Sequence, residues 1–358
     1  MSMCEKIIYK QNLLNNVNVL KKHCKNSKLC AVVKANAYGF GFENIIPIIK
    51  NKVDYFAVAT CYEALKVRCL TNKPILILGE IVKESILEAI KNNISLSVSS
   101  YKKLNQINKI AKENNMVAKI HFKVNTGMNR LGFSSINTFK NAFNKFYFSK
   151  NLKYEGIFSH IFNCNCYIDT IKQQMIFEQY LQSVDTQNLI KHIACTEVLL
   201  KYPQLKYDMC RVGIGLYNYA KVNCYGLKSI LEIKSKIINI INVKKGKTVG
   251  YGSNFMCNKN TRVAVIAIGY ADGFSRMFSN NGKVLIQGQF CNIIGNICMD
   301  MCFVDCTSLN VKVGDFATIV GYNGNKNINA IDLANKINTI DYEILTNFKN
   351  DRMNVKIL

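Results

Sequence analysis

Hydrophobic positions along the first two-thirds of the chain follow two alternating rhythms. Short β-branched or apolar runs occur at "LCAVVKAN", "VDYFAVAT", "KPILILGE", "NISLSVSS", "VAKIHFKVN", "YEGIFSHI", "IKHIACT" and "MCRVGIGLY". Longer stretches with apolar residues at helical spacing separate them, such as Tyr101–Asn114 and Asp169–Val184. Eight strands in regular alternation with helices predict a (β/α)8, TIM-like barrel. An open doubly wound sheet is the alternative, but no segment marks the reversal of strand order that it needs.

From about Leu227 the rhythm changes. Strand-like runs "IKSKIINIINVKK", "RVAVIAIGYADG", "GKVLIQG" and "FATIVGY" are joined by Gly/Asn turns, with one helical candidate near Ile331–Ile337. The expected organisation is an α/β barrel over residues 9–225 followed by a mainly β C-terminal domain over 226–358, which residues 1–8 join as a strand. No internal repeat interrupts this division.

Composition narrows the function classes. The 358 residues are 49% hydrophobic, enough for two packed cores. No run approaches the roughly 18 apolar residues of a membrane span, and "MSMCEKIIYKQNLLNN" lacks the pattern of a secretory leader. A cytoplasmic location and no membrane partner are therefore expected. The fifteen cysteines are odd in number and scattered. Neither "CNC" nor "CMDMCFVDC" has metal-site spacing, so reduced, buried thiols and no metal are expected. The net charge of +24 would suit a nucleic-acid partner. Yet only six of the 47 basic residues are arginines, and the lysines are spread without interleaved aromatics. Compositional bias accounts for the charge, and no nucleic-acid partner is expected.

The candidate chemistry gathers where barrel enzymes place it, at the C-terminal ends of the strands. Lys34 ends the first predicted strand. "KVNTGMNRLGF" after the fifth offers Lys123, Asn125 and Arg130, and His160, Thr196 and "RVGIG" (Arg211–Gly215) end the last three. Paired carboxylates are missing, which argues against a glycosidase. A Gly-rich turn after strand eight and Thr196 after strand seven fall where barrels bind phosphate. A lysine beside a phosphate site points to pyridoxal phosphate held as a Schiff base. Taken singly, each residue has a plainer explanation. Lysine at a strand end is usually solvated, Tyr251 and Met299 sit among packing residues, His160 suits a core, Asp300 suits a turn cap, and Arg211 has Asp208 nearby as an ion-pair partner.

Six motifs change that balance. "AVVKANAYG", "TGMNRLGF", "RVGIGLY", "VGYGSNF", "IGYADG" and "GNICMDM" resemble, in order, the motifs of the alanine racemase family. The resemblance runs from about residue 30 to beyond 340. It implies a homodimeric pyridoxal-phosphate enzyme with a barrel and a β domain, which racemises L- and D-alanine for cell-wall peptidoglycan. In that family's pattern Lys34 would carry the cofactor and act as one base, and Tyr251, lent by the partner chain, as the other. Tyr38, Thr196, Gly213, Ile214 and Tyr342 would hold the phosphate. Arg211 would face the pyridine nitrogen and Arg130 the phenolic oxygen, with Arg130 and the partner's Met299 near the substrate carboxylate. His160 would bridge toward Tyr251 and Arg211, and the charge of His160, Arg130 and Arg211 would lower the tyrosine's pKa. In some relatives the lysine matching Lys123 is carbamylated. The chain departs from the pattern at Cys195, where asparagine is common, at Asn125, where aspartate is common, in "IFNCNCYIDT", and in its tail. A serine or broad-specificity racemase shares nearly all these residues. A non-catalytic pyridoxal-phosphate protein would lack the second domain.

Overall fold

The computed structural model describes residues 3–217, 225–349 and 351–358. The chain divides into two compact units. Strand β1 (Cys4–Ile8) belongs to the second of them. The first unit begins its sheet with β2 (Lys28–Val32) and continues through β3 (Tyr55–Val58), β4 (Ile75–Ile77), β5 (Ser95–Val98), β6 (Ala118–Lys123), β7 (Leu152–Phe158), β8 (Ile190–His192) and β9 (Met209–Val212). These eight strands are parallel and ordered β8-β7-β6-β5-β4-β3-β2-β9. Backbone hydrogen bonds Asp208 N to Lys191 O (3.0 Å) and Arg211 N to Ala194 O (2.9 Å) link the two ends into a barrel. All eight apolar runs of the sequence supply one strand each.

The strands read as continuous apolar runs because helices cover their outer face and side chains fill the inner one. Ile75, Leu76 and Ile77, for instance, are all fully buried. The intervening helices are specified locally. Helix Tyr101–Glu113 starts at Ser100, whose hydroxyl accepts from Lys103 N, and buries Leu104, Ile107 and Ala111 on one face. Helix Cys61–Arg68 opens with a capping box between Thr60 and Glu63.

The second unit is a mainly antiparallel sheet built on β10 (Leu231–Val243), a long strand that pairs with three others. β1 pairs antiparallel with β10 and parallel with β17 (Asn354–Ile357), so both chain ends lie in this sheet. Fully buried Lys6 donates from Nζ to Gly39 O (2.6 Å) and Phe348 O (2.8 Å), and these two carbonyls offset the burial of its amine. Helix Ala330–Lys336 falls where one helix is predicted, but a second helix, Asp341–Asn347, follows it. That segment buries only Asp341, Ile344 and Leu345, too little apolar sequence for a periodic signal.

Gly273 of "GYADG" caps the turn Tyr270–Asp272 at φ 97°. A Cβ there would lie 2.1 Å from Asn347 O, so both its dihedral and its clearance require glycine. Gly273→Ala is expected to cost about 2–3 kcal/mol, read as a lowered thermal midpoint. An unchanged midpoint contradicts this packing.

Candidate active site

The segment after β2 does something rare for L-residues. Ala35, Asn36 and Ala37 follow Lys34 at φ of 53°, 52° and 54°, a left-handed helical turn that continues into Tyr38 at φ 57°. Such a turn costs roughly 1–2 kcal/mol per residue, so its surroundings must hold it. Ala37 N donates to Val33 O (2.7 Å), and Asn36 Oδ1 accepts from Phe42 N (3.0 Å). The strongest tie comes from Glu63. Its carboxylate accepts from Ala35 N (2.6 Å) and Ala59 N (2.8 Å), joining the turn to the start of helix Cys61–Arg68. Lys34 thus leaves the strand end in a fixed direction. Partial desolvation and the positive field of Arg130 lower its ammonium pKa, with Glu63 opposing.

The loop after β6 is shaped by Asn125, whose Oδ1 accepts from Gly127 N (3.1 Å) and Asn129 N (3.0 Å). An aspartate would present the same oxygen, so this departure leaves the loop intact. Gly132 (φ 125°) lets the chain return to bridge Phe133 to Val124, since a Cβ would meet Val124 C at 2.7 Å. Arg130 projects, exposed, from between these fixed points. On the strand itself Lys123 is buried and donates to Leu78 O (3.1 Å). Burial, then Arg130 and Arg211, push its amine down to about 8.

Thr196 begins helix Thr196–Lys201. Its hydroxyl oxygen accepts from Gly213 N (3.2 Å) and Gly215 N (3.3 Å), drawing the turn around Ile214 against it. A Cβ on Gly215 would meet Thr196 Cγ2 at 2.5 Å, so this approach needs glycine. Two amides thus converge on one hydroxyl oxygen and form a cradle at the strand ends where barrels hold phosphate.

Arg211 lies within β9, and it does not pair with Asp208, which instead holds Lys191 (3.9 Å). Its guanidinium, 4% exposed, donates to Ser159 O (2.7 Å), His192 O (2.9 Å) and His192 Nδ1 (2.8 Å), with His160 Nδ1 at 3.5 Å. Arginine only donates, which fixes the proton pattern behind it. His192 Nδ1 accepts, so its Nε2 carries the hydrogen and donates to His121 Nδ1 (2.9 Å). His121 then presents Nε2–H toward Glu155, 3.9 Å away. A single cation thereby sets two histidine tautomers across the barrel interior.

His160 is not one of the site's cations. Desolvation, then Arg211, Arg130, Lys34 and Lys123, push its imidazole down to about 3. The positive charge expected to include His160 comes from the arginines and lysines alone, because a fifth cation would face four others.

In the second unit Tyr38 and Tyr342 face each other with ring centroids 5.8 Å apart. Tyr251 and Met299 are exposed and share an open surface cavity with Gly250, Tyr270, Arg276 and Asp300. The motifs bearing them are stitched together: Tyr270 N donates to Cys298 O (3.1 Å) and Ala271 N to Met299 O (3.0 Å). Arg352, in the tail, donates to Asp272 (2.8 Å) and Asp300 (2.5 Å) and fastens both motifs. Asp300 is therefore an arginine partner rather than a turn cap. Sequence reading missed Glu63, His121, His192 and Arg352, since each acts on a neighbour distant in sequence and carries no local pattern of its own. Only the spacing Thr60-x-x-Glu63, a capping box, hinted at one.

The donor set fits pyridoxal phosphate. An amine of lowered pKa suits its aldehyde, the Thr196 cradle its phosphate, and a donor-only guanidinium an unprotonated ring nitrogen.

Comparison with known proteins agrees. Residues 8–221 match the family model for the alanine racemase N-terminal domain, and residues 230–356 that for the C-terminal domain. The chain is 34% identical over 361 residues to the alanine racemase of Francisella philomiragia, spanning 97% of each. An alanine racemase structure from Clostridium difficile 630 superposes with a TM-score of 0.93 at 31% identity, over 100% of this chain and 96% of that one. Another, from Bartonella henselae with covalently bound pyridoxal phosphate, gives 0.92 at 26% identity over 100% of both.

Fully buried His121 is pushed down to about 3, by burial first and Arg211 next, and His192 lies well below its usual value for the same reasons. The unfolded chain takes up these protons near pH 6.5 while the folded chain resists. Stability should thus fall as pH drops below about 6.5, by up to about 1.4 kcal/mol per pH unit for each histidine. Imidazole NMR should show both rings neutral from pH 8 to 5. A midpoint within that window for either ring contradicts the relay.

Proposed function

The chain belongs to the alanine racemase family, and from that premise we propose that it interconverts L- and D-alanine with pyridoxal phosphate as cofactor. The observation that carries the reading is Lys34, its amine pKa lowered, at the strand end from which a strained turn starts on a barrel rim. Thr196 with the Gly213–Gly215 turn supplies an oxyanion cradle on the same rim. The product would feed peptidoglycan synthesis in the cytoplasm.

When bound, the cofactor supplies an aldehyde for amines and a conjugated ring that spreads negative charge from the substrate α-carbon. The chain's own groups do the rest. Thr196, Gly213 and Ile214, with the hydroxyls of Tyr38 and Tyr342, would bind the phosphate. Arg211 would donate to the ring nitrogen and, having no acceptor, would hold it without a proton, tempering the ring's pull on electrons. Arg130 would lie near the phenolic oxygen and the substrate carboxylate, with Met299 of the partner subunit on the carboxylate's other side.

Racemisation removes a proton from one face of the α-carbon and delivers one to the other, so two acid–base groups are needed. Lys34 Nζ would serve one face. The phenol of the partner subunit's Tyr251 would serve the other, which makes a homodimer part of the proposal. The exposure of Tyr251 (74%) and Met299 (53%) supports their being lent to a second chain. Neutral His160, reaching Arg211 on one side, would be available to bridge toward that phenol. The matched C-terminal domain disfavours a non-catalytic carrier, which would lack these two residues.

Purified protein given pyridoxal phosphate and L-alanine should produce D-alanine, and a panel including L-serine should show alanine preferred. No D-alanine refutes the activity. In D2O, Tyr251→Phe should still exchange the α-hydrogen of one alanine enantiomer with solvent while exchange from the other is lost; equal loss of exchange from both contradicts the two-base assignment. Gly215→Ala, by displacing Thr196, should weaken cofactor retention about tenfold, the worth of roughly one hydrogen bond to a charged group, measured by fluorescence titration. Unchanged retention removes Thr196 from the phosphate site.

A further inference from the structure

The loop after β7 and the start of helix Thr196–Lys201 bring two thiols together: Cys164 Sγ lies 3.7 Å from Cys195 Sγ. Side chains at the far end of that helix and just after it also bond the loop that carries Cys164. Tyr202 Oη donates to Cys164 O (3.2 Å), and Lys201 Nζ to Asn165 Oδ1 (2.6 Å). A disulfide needs the sulfurs at about 2.05 Å, so side-chain rotation and a small loop shift would close the gap. Neither thiol belongs to the acid–base chemistry above. Cys195 directly precedes Thr196, the residue on which the cradle closes.

We propose that Cys164 and Cys195 form a redox-modifiable pair whose oxidation by a hydroperoxide closes a disulfide and loosens the phosphate cradle. The second half of this proposal rests on the phosphate-binding role given to Thr196. The two thiols are unequal. Cys195 has its pKa lowered by the hydrogen bond from Cys164, by the backbone N–H dipoles at Val198 and Glu197 and by Arg211, against the opposing effect of burial. Cys164 is shifted the other way by the same bond and by burial. Cys195 therefore attacks the peroxide oxygen as thiolate, cleaving the O–O bond and releasing water or an alcohol as it becomes a sulfenic acid. The Cys164 sulfur then attacks the sulfenic sulfur, its proton leaves with the hydroxyl as a second water, and the S–S bond forms. Two thiols are oxidised and one hydroperoxide is reduced. A disulfide in a thiol-reducing compartment is transient, which suits a reversible switch rather than a structural staple.

The test uses the full-length protein loaded with pyridoxal phosphate and treated with hydrogen peroxide. Free thiols are then alkylated and the peptides mapped by mass spectrometry. A peptide linking Cys164 to Cys195, removed by dithiothreitol, is the expected product. The oxidised protein should bind pyridoxal phosphate about tenfold more weakly, as for one lost hydrogen bond to the phosphate. Cys164→Ser and Cys164→Ala should both retain the cofactor through the same treatment. Absence of the linked peptide, or links only between other cysteines, overturns the redox site. A linked peptide with unchanged cofactor affinity overturns its coupling to the cradle. If the reduced protein never takes up pyridoxal phosphate, the proposed function fails instead, and the linked peptide alone decides the redox pair.

Discussion

The left-handed turn that follows Lys34 is the constraint on which the site depends. Four consecutive residues in a region that disfavours a Cβ carry a cost of roughly 4–8 kcal/mol. A barrel of largely buried parallel strands can absorb that, because its frame does not relax when one loop is strained. Glu63 shows how the load is distributed. One carboxylate satisfies two backbone donors from different loops and completes its own helix cap. The turn, in exchange, orients a primary amine without relying on a flexible linker. Four methylene groups of lysine then have only a short arc to search.

Arg211 is the second organising element, and it works in two directions. Toward the rim it offers a cation that cannot accept a hydrogen bond. Toward the barrel interior it orders His192, and through it His121, into single tautomers. The surrounding positive charge keeps His160 neutral and lowers the amines of Lys34 and Lys123. A rim with this balance favours anionic ligands and unprotonated bases at once. Those are the two properties that proton exchange at an amino acid's α-carbon requires.

Much of this was legible in the sequence. Eight apolar runs gave eight strands because buried parallel strands need uninterrupted hydrophobicity, a signal visible without partners. Lys34, Arg130, Thr196 and Arg211 were visible because each ends a strand or opens a loop in a short motif. Helix Asp341–Asn347 was not, since it buries too little apolar surface to show a period. Glu63, His121, His192 and Arg352 escaped for a different reason: each matters through partners that only the folded chain brings near. The charge state of His160 was misjudged on the same account, because counting cations along the sequence does not reveal that they converge on one ring.

The central claim is that Lys34 is the residue to which the cofactor is joined. The direct measurement is reduction of the pyridoxal-phosphate-loaded protein with borohydride, followed by peptide mapping of the pyridoxyl group. The account predicts the label on Lys34 and no label in Lys34→Ala. A label on Lys123 or any other lysine, or none on the native chain, contradicts it.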